Sequence, residues 1–119
     1  MLRISAIAFL VVLLTGCIKT SEREEKDNCG CTAPCVYLSI NEFKNDPNTC
    51  STGASIKEYK WEGKTVHVYD GGICIADGQA IVKDTNCKVL GYLGGIAGNS
   101  TIEGKEWSTA VYIRTIWSN

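Results

Sequence analysis

The sequence SIKEYKWEGKTVHVYD, residues 55–70, carries the clearest structural signal in this chain. Apolar and polar residues alternate on both sides of Glu62-Gly63, a dipeptide that suits a two-residue hairpin turn. A turn there predicts two antiparallel strands in which Glu58 lies opposite His67. We expect one face of this hairpin to be core, and its side chains are Tyr59, Trp61, Val66 and Val68.

The opposite face of the hairpin is expected to be wetter. It carries Lys60 and the only histidine of the chain, His67, across from Glu58. Ile56 and Tyr69 share this face. We predict a cross-strand polar pair between Glu58 and His67. A catalytic or metal-binding site is the alternative, and it would need a deep pocket around both side chains.

The segments on either side of the hairpin complete the fold class. Before it, Val36, Ile40 and Phe43 recur at helical spacing, and Pro34 and Pro47 limit a short helix at its two ends. After it, Asp-Gly and Asp-Thr-Asn turns separate short apolar runs. The sequence predicts an α+β fold: one short N-terminal amphipathic helix packed on an antiparallel β-meander of about five or six strands, stapled by disulfides. The later strands are expected at 73–76, 80–83, 87–93 and 109–117.

The start of the chain predicts where the protein is located in the cell. Arg3 precedes an apolar run over residues 4–14 that is too short to span a bilayer, as in a secretory signal peptide. The stretch Leu14-Thr15-Gly16-Cys17 resembles the bacterial lipobox, whose cysteine receives a diacylglyceryl group and is then acylated on its freed amine. This resemblance implies that residues 1–16 are a lipoprotein signal peptide. It also implies that Cys17 is the lipidation site and that the membrane is a partner through acyl chains.

Residues 17–28 are expected to form the acylated cysteine and a flexible polar tether, since no apolar periodicity follows Ile18. Ile18 is also not the aspartate that marks inner-membrane retention in many Gram-negative lipoproteins. We therefore predict a lipid-anchored outer-membrane protein, with the periplasmic or cell-surface face undecided. The acidic run 21–25 resembles a surface-export signal, and a soluble linker explains it equally well.

Residues 29–119 are expected to form a single globular domain. Removing residues 1–16 from a chain of 119 leaves 103, a size that suits one hydrophobic core. The chain has 12 Lys and Arg against 13 Asp and Glu, and its basic residues are scattered singly. This balance lacks the basic footprint of nucleic-acid binding, so we expect no nucleic-acid partner.

Once Cys17 is assigned to lipid, the other cysteines form an even set. They are Cys29, Cys31, Cys35, Cys50, Cys74 and Cys87. Six cysteines in an exported domain indicate three disulfides, for which fifteen connectivities exist. The pairing we predict is Cys74 with Cys87, whose segments resemble neighbouring strands. Cys35 with Cys50, on either side of the helix, is a second pairing.

The spacing of these cysteines disfavours two more specific interpretations, a zinc site and a redox-active pair. A zinc site of Cys29, Cys31, Cys35 and Cys50 would have spacers of one, three and fourteen residues, unlike paired zinc knuckles. Redox activity at Cys29-Gly30-Cys31 lacks the two-residue spacing of thioredoxin-like motifs. Cys29 and Cys31 are too close to bridge each other without strain, so each is expected to pair elsewhere. We predict no metal and no cofactor.

The glycine-rich segment 91–99 invites comparison with a phosphate-binding loop. Neither a following helix nor a lysine at the required spacing accompanies it. We expect an irregular turn in which glycine supplies positive backbone dihedrals.

Several motifs together resemble a family of small lipoproteins that carry a domain of unknown function, found mainly among Gram-negative bacteria. The resemblance covers most of residues 35–117 and implies one fold and an envelope location, with no activity attached. Its motifs lie at residues 35–38, 40–43, 54–59, 63–68, 84–87 and 93–99.

The function predicted from these features is a non-enzymatic binding or interaction module, with an unidentified protein or glycan as partner. A protease-inhibitor-like module is the alternative, and a small enzyme or thiol-redox protein is less favoured, because the chain has one histidine and no nucleophile motif. An exposed aromatic patch of Tyr69 with Tyr92 or Trp107 would favour binding. A deep pocket around His67 and Glu58 would favour an enzyme.

Overall fold

The computed structural model describes residues 32–119. The predicted signal peptide, the tether and the cysteines Cys17, Cys29 and Cys31 lie outside the described residues. One α-helix is followed by seven strands and a short 3₁₀ turn at Trp107–Thr109. These elements are α1 (Pro34–Asn45), β1 (Ser55–Trp61), β2 (Lys64–Asp70), β3 (Gln79–Asp84), β4 (Val89–Gly94), β5 (Thr101–Ile102), β6 (Lys105–Glu106) and β7 (Val111–Ser118).

The main sheet has five antiparallel strands in the order β4-β3-β2-β1-β7, and β5 and β6 form a separate two-stranded ribbon. The predicted meander holds for β1 to β4. It is wrong for the last strand, since β7 crosses back to pair with β1. The helix precedes the strands as predicted but begins at Pro34, in the interior of the chain rather than at its N-terminus. Among the described residues, no helix is long and apolar enough to cross a membrane.

The hairpin of β1 and β2 has the predicted register. Glu58 lies opposite His67, and Trp61 lies opposite Lys64 across the turn at Glu62 and Gly63. Both turn residues have positive φ, 50° and 71°, as a two-residue hairpin turn requires. The turn chemistry and the alternation therefore determine this part of the fold.

The second face of this hairpin is buried at Ile56, His67 and Tyr69 and exposed at Lys60 near the turn, so the prediction that it is the wetter face is wrong for most of its length. The face with Tyr59, Trp61, Val66 and Val68 packs against Ile102 and Trp107, as expected of a core. The opposite face is covered by α1, whose buried Val36 packs with Ile56 and Tyr69. The local sequence pattern predicts one helix as the covering layer and carries no signal for a second one. The sheet instead has α1 on one face and the segment with the β5–β6 ribbon on the other.

The predicted strand at 73–76 is instead a loop. Its backbone turns at Gly72 and Asp77, which have φ of 90° and 58°, and Ile73 is 95% exposed. The strands predicted at 80–83, 87–93 and 109–117 correspond to β3, β4 and β7, shifted at their ends by up to two residues.

The described disulfides are Cys35–Cys87 and Cys50–Cys74, with Cα atoms 6.0 and 5.7 Å apart. The predicted pairings Cys74–Cys87 and Cys35–Cys50 are therefore wrong. The expectation that Cys29 and Cys31 each pair with another cysteine of the domain is wrong too, because these two bridges use the other four. Cys87 lies in the turn between β3 and β4, whereas Cys74 lies in the loop that precedes the other end of β3. The first bridge ties α1 to the β3–β4 turn, and the second ties the segment after α1 to the loop before β3.

Candidate functional site

Glu58, His67 and Arg114 form a cluster of charged and polar side chains on β1, β2 and β7. Arg114 donates from Nε to Glu58 Oε2 at 3.0 Å, and its Nη2 lies 3.0 Å from the same oxygen. Its Nη2 also lies 3.5 Å from Thr32 Oγ1. Cross-strand register places these residues together, because Glu58 is paired with His67 on one side and with Arg114 on the other.

His67 is deeply buried within this cluster, with 1% of its surface exposed. Its Nε2 approaches Glu58 Oε2 at 3.5 Å, too far for a well-formed hydrogen bond, and neither ring nitrogen has a hydrogen-bond partner in the described part of the chain. Burial lowers the pKa of His67 and outweighs the opposing attraction of the Glu58 carboxylate, while Arg114 lowers it further. The imidazole is therefore neutral at pH 7.

This cluster has the features of a structural ion pair between Glu58 and Arg114 rather than of an open reaction centre. The Glu58 side chain is only 14% exposed, and its carboxylate is already engaged by the guanidinium of Arg114. No group of three or more metal-ligating side chains occurs within residues 32–119. The predicted Glu58–His67 neighbours are confirmed in register, but their burial was missed because the covering layer is not visible in the local pattern.

A cleft of about 120 Å³ lies between α1 and the sheet. On its floor, the hydroxyls of Ser39 and Tyr69 are 2.8 Å apart, and Lys83 Nζ lies 4.3 Å from the centroid of the Tyr69 ring. Burial raises the pKa of Tyr69, so its hydroxyl stays protonated at neutral pH. Glu42 and Asp46, both exposed, also line the cleft and supply acidic groups.

Aromatic side chains form a continuous row on the other face of the sheet. The row consists of Trp61, Trp107, Tyr59 and Tyr112, whose successive ring centroids lie 6.0, 5.2 and 5.7 Å apart. Trp61 is buried and donates from Nε1 to the carbonyl of Glu106 at 3.2 Å. The aromatic row therefore starts in the core and runs outward to the edge strand β7.

The outer end of the aromatic row is accessible. Tyr112 is 52% exposed, and its hydroxyl is 2.8 Å from Thr115 Oγ1. Its neighbours Val111 and Ile113 are 60% and 50% exposed. Tyr112 lies on β7, an edge of the sheet, beside the half-buried ring of Tyr59.

The exposed aromatic patch of Tyr69 with Tyr92 or Trp107, which would have favoured binding, is not formed. Tyr69 is buried beneath α1, and Tyr92 lies on β4, at the opposite edge of the sheet from the aromatic row. Of these three residues, only Trp107 belongs to the aromatic row, where it is half-buried. The contribution of Tyr112 was missed because it depends on the long-range pairing of β7 with β1, for which the local sequence carries no signal.

The glycine-rich segment forms a closed turn rather than a phosphate site. Gly94 and Asn99 exchange backbone hydrogen bonds of 2.9 and 3.0 Å, and Gly94, Gly95 and Gly98 have positive φ. Strand β5 follows the turn, so the expected irregular glycine turn is confirmed.

A family model described as "Domain of unknown function (DUF6970)" matches residues 41–119. Among curated proteins, the endolytic peptidoglycan transglycosylase RlpA of Campylobacter jejuni is 32% identical over 66 residues. The match covers 56% of this chain and 22% of that protein, so the chain spans about a fifth of the length of the curated relative it matches. No solved structure matches the chain.

Proposed function

Because this chain belongs to the DUF6970 family, a family defined by sequence and without a described activity, we propose a function from its surfaces. We propose that it is a lipid-anchored protein of the bacterial envelope that binds the glycan strands of peptidoglycan without cleaving them. The lipid anchor is Cys17, and the glycan surface is the exposed end of the aromatic row.

The observation that carries this proposal is the exposure of Tyr112 at the end of a row of aromatic rings whose other members are buried or half-buried. Sugar rings have apolar C–H faces that pack on aromatic rings, and their hydroxyl groups need polar neighbours. Tyr112 offers both kinds of contact, since its ring is exposed beside Tyr59 and its hydroxyl lies against Thr115. Packing against Tyr59 holds the Tyr112 ring in place, which lowers the entropy lost on binding.

The named relative supports peptidoglycan as the glycan. RlpA of Campylobacter jejuni acts on peptidoglycan according to its name, and it resembles about half of this chain. Cleavage of peptidoglycan is accordingly the second candidate function. The cluster at Glu58 gives it little support, because that carboxylate is largely buried and engaged by Arg114.

Sedimentation with purified peptidoglycan sacculi tests the binding surface. Tyr112→Ala is expected to weaken binding about tenfold, which corresponds to ~1.4 kcal/mol. Tyr92→Ala is the matched control, since Tyr92 is 45% exposed at the opposite edge of the sheet. Equal loss in both variants, or no loss in either, would contradict the proposed surface.

The intact mass of the protein extracted from membranes tests the anchor. The expected chain begins at Cys17 and carries the added mass of its acyl groups. Alkylation after reduction completes this test, because a Cys17 thiol that carries a diacylglyceryl group takes up no label, whereas the other six cysteines do. A chain that retains residues 1–16, or that starts elsewhere without acyl groups, would refute the lipid anchor.

A further inference from the structure

Two loops at one end of the main sheet expose isoleucine side chains. The first, residues 72–78, joins β2 to β3, and the second, residues 95–98, follows β4. They are neighbours because Gln79, which starts β3, is paired with Gly94, which ends β4. A Cβ placed on Gly94 would lie 3.6 Å from the carbonyl oxygen of Gly78. We call this pair the isoleucine loops.

The isoleucine loops present an apolar surface with little charge. Ile73 is 95% exposed, Ile96 is 88% exposed and Ile75 is 42% exposed. Asp77 is the one charged residue in these two segments of the sequence. Isolated exposed apolar residues are ordinary, but here three of them lie on two neighbouring loops at one end of the sheet.

Both loops are held in shape before any contact is made. The Cys50–Cys74 disulfide ties the first loop to the segment after α1, and Cys50 N donates to the carbonyl of Gly71 at 2.7 Å. The second loop is closed by the two hydrogen bonds between Gly94 and Asn99. Apolar tips on constrained loops lose little conformational entropy when they are buried.

We infer that the isoleucine loops insert into the surface of a lipid bilayer and form a second membrane contact beyond the acyl anchor. Their chemistry favours lipid over a protein partner, because protein hot spots are rich in Trp, Tyr and Arg, and these loops carry none of the three. The absence of Lys and Arg in the loops also means that the contact does not require anionic lipid.

The choice of a bilayer rests on the envelope location given in the proposed function. The chain has 14 residues between Cys17 and Thr32, which reach about 45 Å when extended. A strand of eight residues, such as β7, is only about 27 Å long. The tether is therefore long enough for either end of the sheet to reach the membrane. We place the end with the isoleucine loops against the bilayer because its exposed side chains are apolar.

Depth-dependent fluorescence quenching in reconstituted vesicles tests this inference. The full chain carrying Ile96→Trp is reconstituted in phosphatidylcholine vesicles with and without brominated acyl chains, and emission is compared with that of the parent protein. The matched control is Asn86→Trp, since Asn86 is exposed in the turn at the opposite end of β3. The added emission of Ile96→Trp is expected to lose most of its intensity in brominated vesicles, with no such loss for Asn86→Trp.

A second variant and a mass measurement distinguish failure of the loop contact from failure of the lipid anchor. Ile73→Trp reports the other loop and is expected to behave as Ile96→Trp does. Quenching in both loop variants that is no greater than in Asn86→Trp would overturn the inference, including the case in which the loops bind a protein instead. Intact mass of the same sample reports acylation of Cys17, so loss of the loop contact is distinguishable from loss of the anchor.

Discussion

At the residue scale, the distinctive feature of this molecule is a neutral histidine buried beside a carboxylate that is paired with arginine. His67 lies across from Glu58 on one side and Lys83 on the other, and Arg114 approaches from β7. The sequence predicted the Glu58–His67 pairing correctly, because alternation and the turn determine register. It could not predict Arg114 at this position, since the contact joins residues 56 positions apart.

We expect stability to fall as pH decreases below 6.5, because of His67. In the unfolded chain the imidazole has the ordinary pKa of 6.5, and burial lowers the pKa in the folded protein. Between these two values the unfolded chain binds a proton that the folded protein does not. The contribution of the neutral His67 side chain to the free energy of unfolding is therefore complete above pH 6.5. It is lost as pH falls through the pKa of His67 in the folded protein.

Urea unfolding at several pH values between 7.5 and 5.5 measures this effect, with a slope of at most about 1.4 kcal/mol per pH unit. His67→Gln removes the only histidine of the chain and should flatten the slope whatever its effect on stability at pH 7.5. An unchanged slope in His67→Gln would contradict the assignment.

Arg114→Met should destabilise the fold by about 2 kcal/mol, because it leaves the largely buried Glu58 carboxylate without its guanidinium partner. The control is Lys105→Met, which removes the exposed ion pair with Glu62 and should change the free energy of unfolding by less than ~0.5 kcal/mol. Adding Glu58→Gln to Arg114→Met should restore part of the loss. Equal effects of the two Met substitutions would show that Glu58 does not depend on Arg114.

At the element scale, the fold is held by a hairpin with a determined register and by turns that glycine makes possible. The helix, the hairpin, β3 and β4 follow from periodicity and turn chemistry. The segment 73–76 reads as a strand in sequence, but the Cys50–Cys74 bridge and the turn at Gly72 hold it as a loop. The ribbon of β5 and β6 has two residues in each strand, too short for period-two alternation to be detected.

Gly72→Ala is expected to cost more than Gly53→Ala, although both glycines have positive φ. At Gly53, with φ of 82°, no atom lies within 4 Å of an added Cβ, so only the backbone cost of about 1 kcal/mol applies. At Gly72, with φ of 90°, the Cβ would lie 3.0 Å from Cys50 Cβ and 3.1 Å from its sulfur. We expect a total of about 2 to 4 kcal/mol there in thermal or urea unfolding. A smaller loss at Gly72 than at Gly53 would contradict the packing described around Cys50–Cys74.

Both described disulfides should stabilise the fold through the chain segments they close. Cys35–Cys87 spans 52 residues and Cys50–Cys74 spans 24, which predicts losses of about 4 and 3 kcal/mol when each pair is replaced by alanine. Unfolding in urea measures these losses, and peptide mapping without reduction checks the pairing. A peptide that links Cys74 to Cys87 would contradict the disulfide arrangement.

At the scale of the whole molecule, the two faces of the main sheet carry different features. The helix covers the face that buries His67, and the other face carries the aromatic row to the open edge at β7. The α+β class was predictable because each local pattern agrees with it. The third layer and the return of β7 to β1 were not predictable, because both depend on contacts between segments far apart in the chain.

The same arrangement assigns separate surfaces to the proposed contacts. The isoleucine loops lie at the end of the sheet where β2 and β4 finish, while Tyr112 lies towards the start of β7 on the aromatic face. Since β7 ends beside the start of β1, Tyr112 is nearer the opposite end of the sheet from these loops. A bilayer at one end therefore leaves the aromatic row open to a glycan strand.

The most direct test of the central claim, binding to peptidoglycan without cleavage, is to incubate the purified full chain with sacculi and analyse both fractions. Protein in the pellet is quantified after centrifugation, and soluble glycan fragments in the supernatant are measured by liquid chromatography and mass spectrometry. We predict that the protein sediments with the sacculi and that the supernatant matches a protein-free control. Release of glycan fragments that disappears in Glu58→Gln, or protein that stays in the supernatant, would contradict the account.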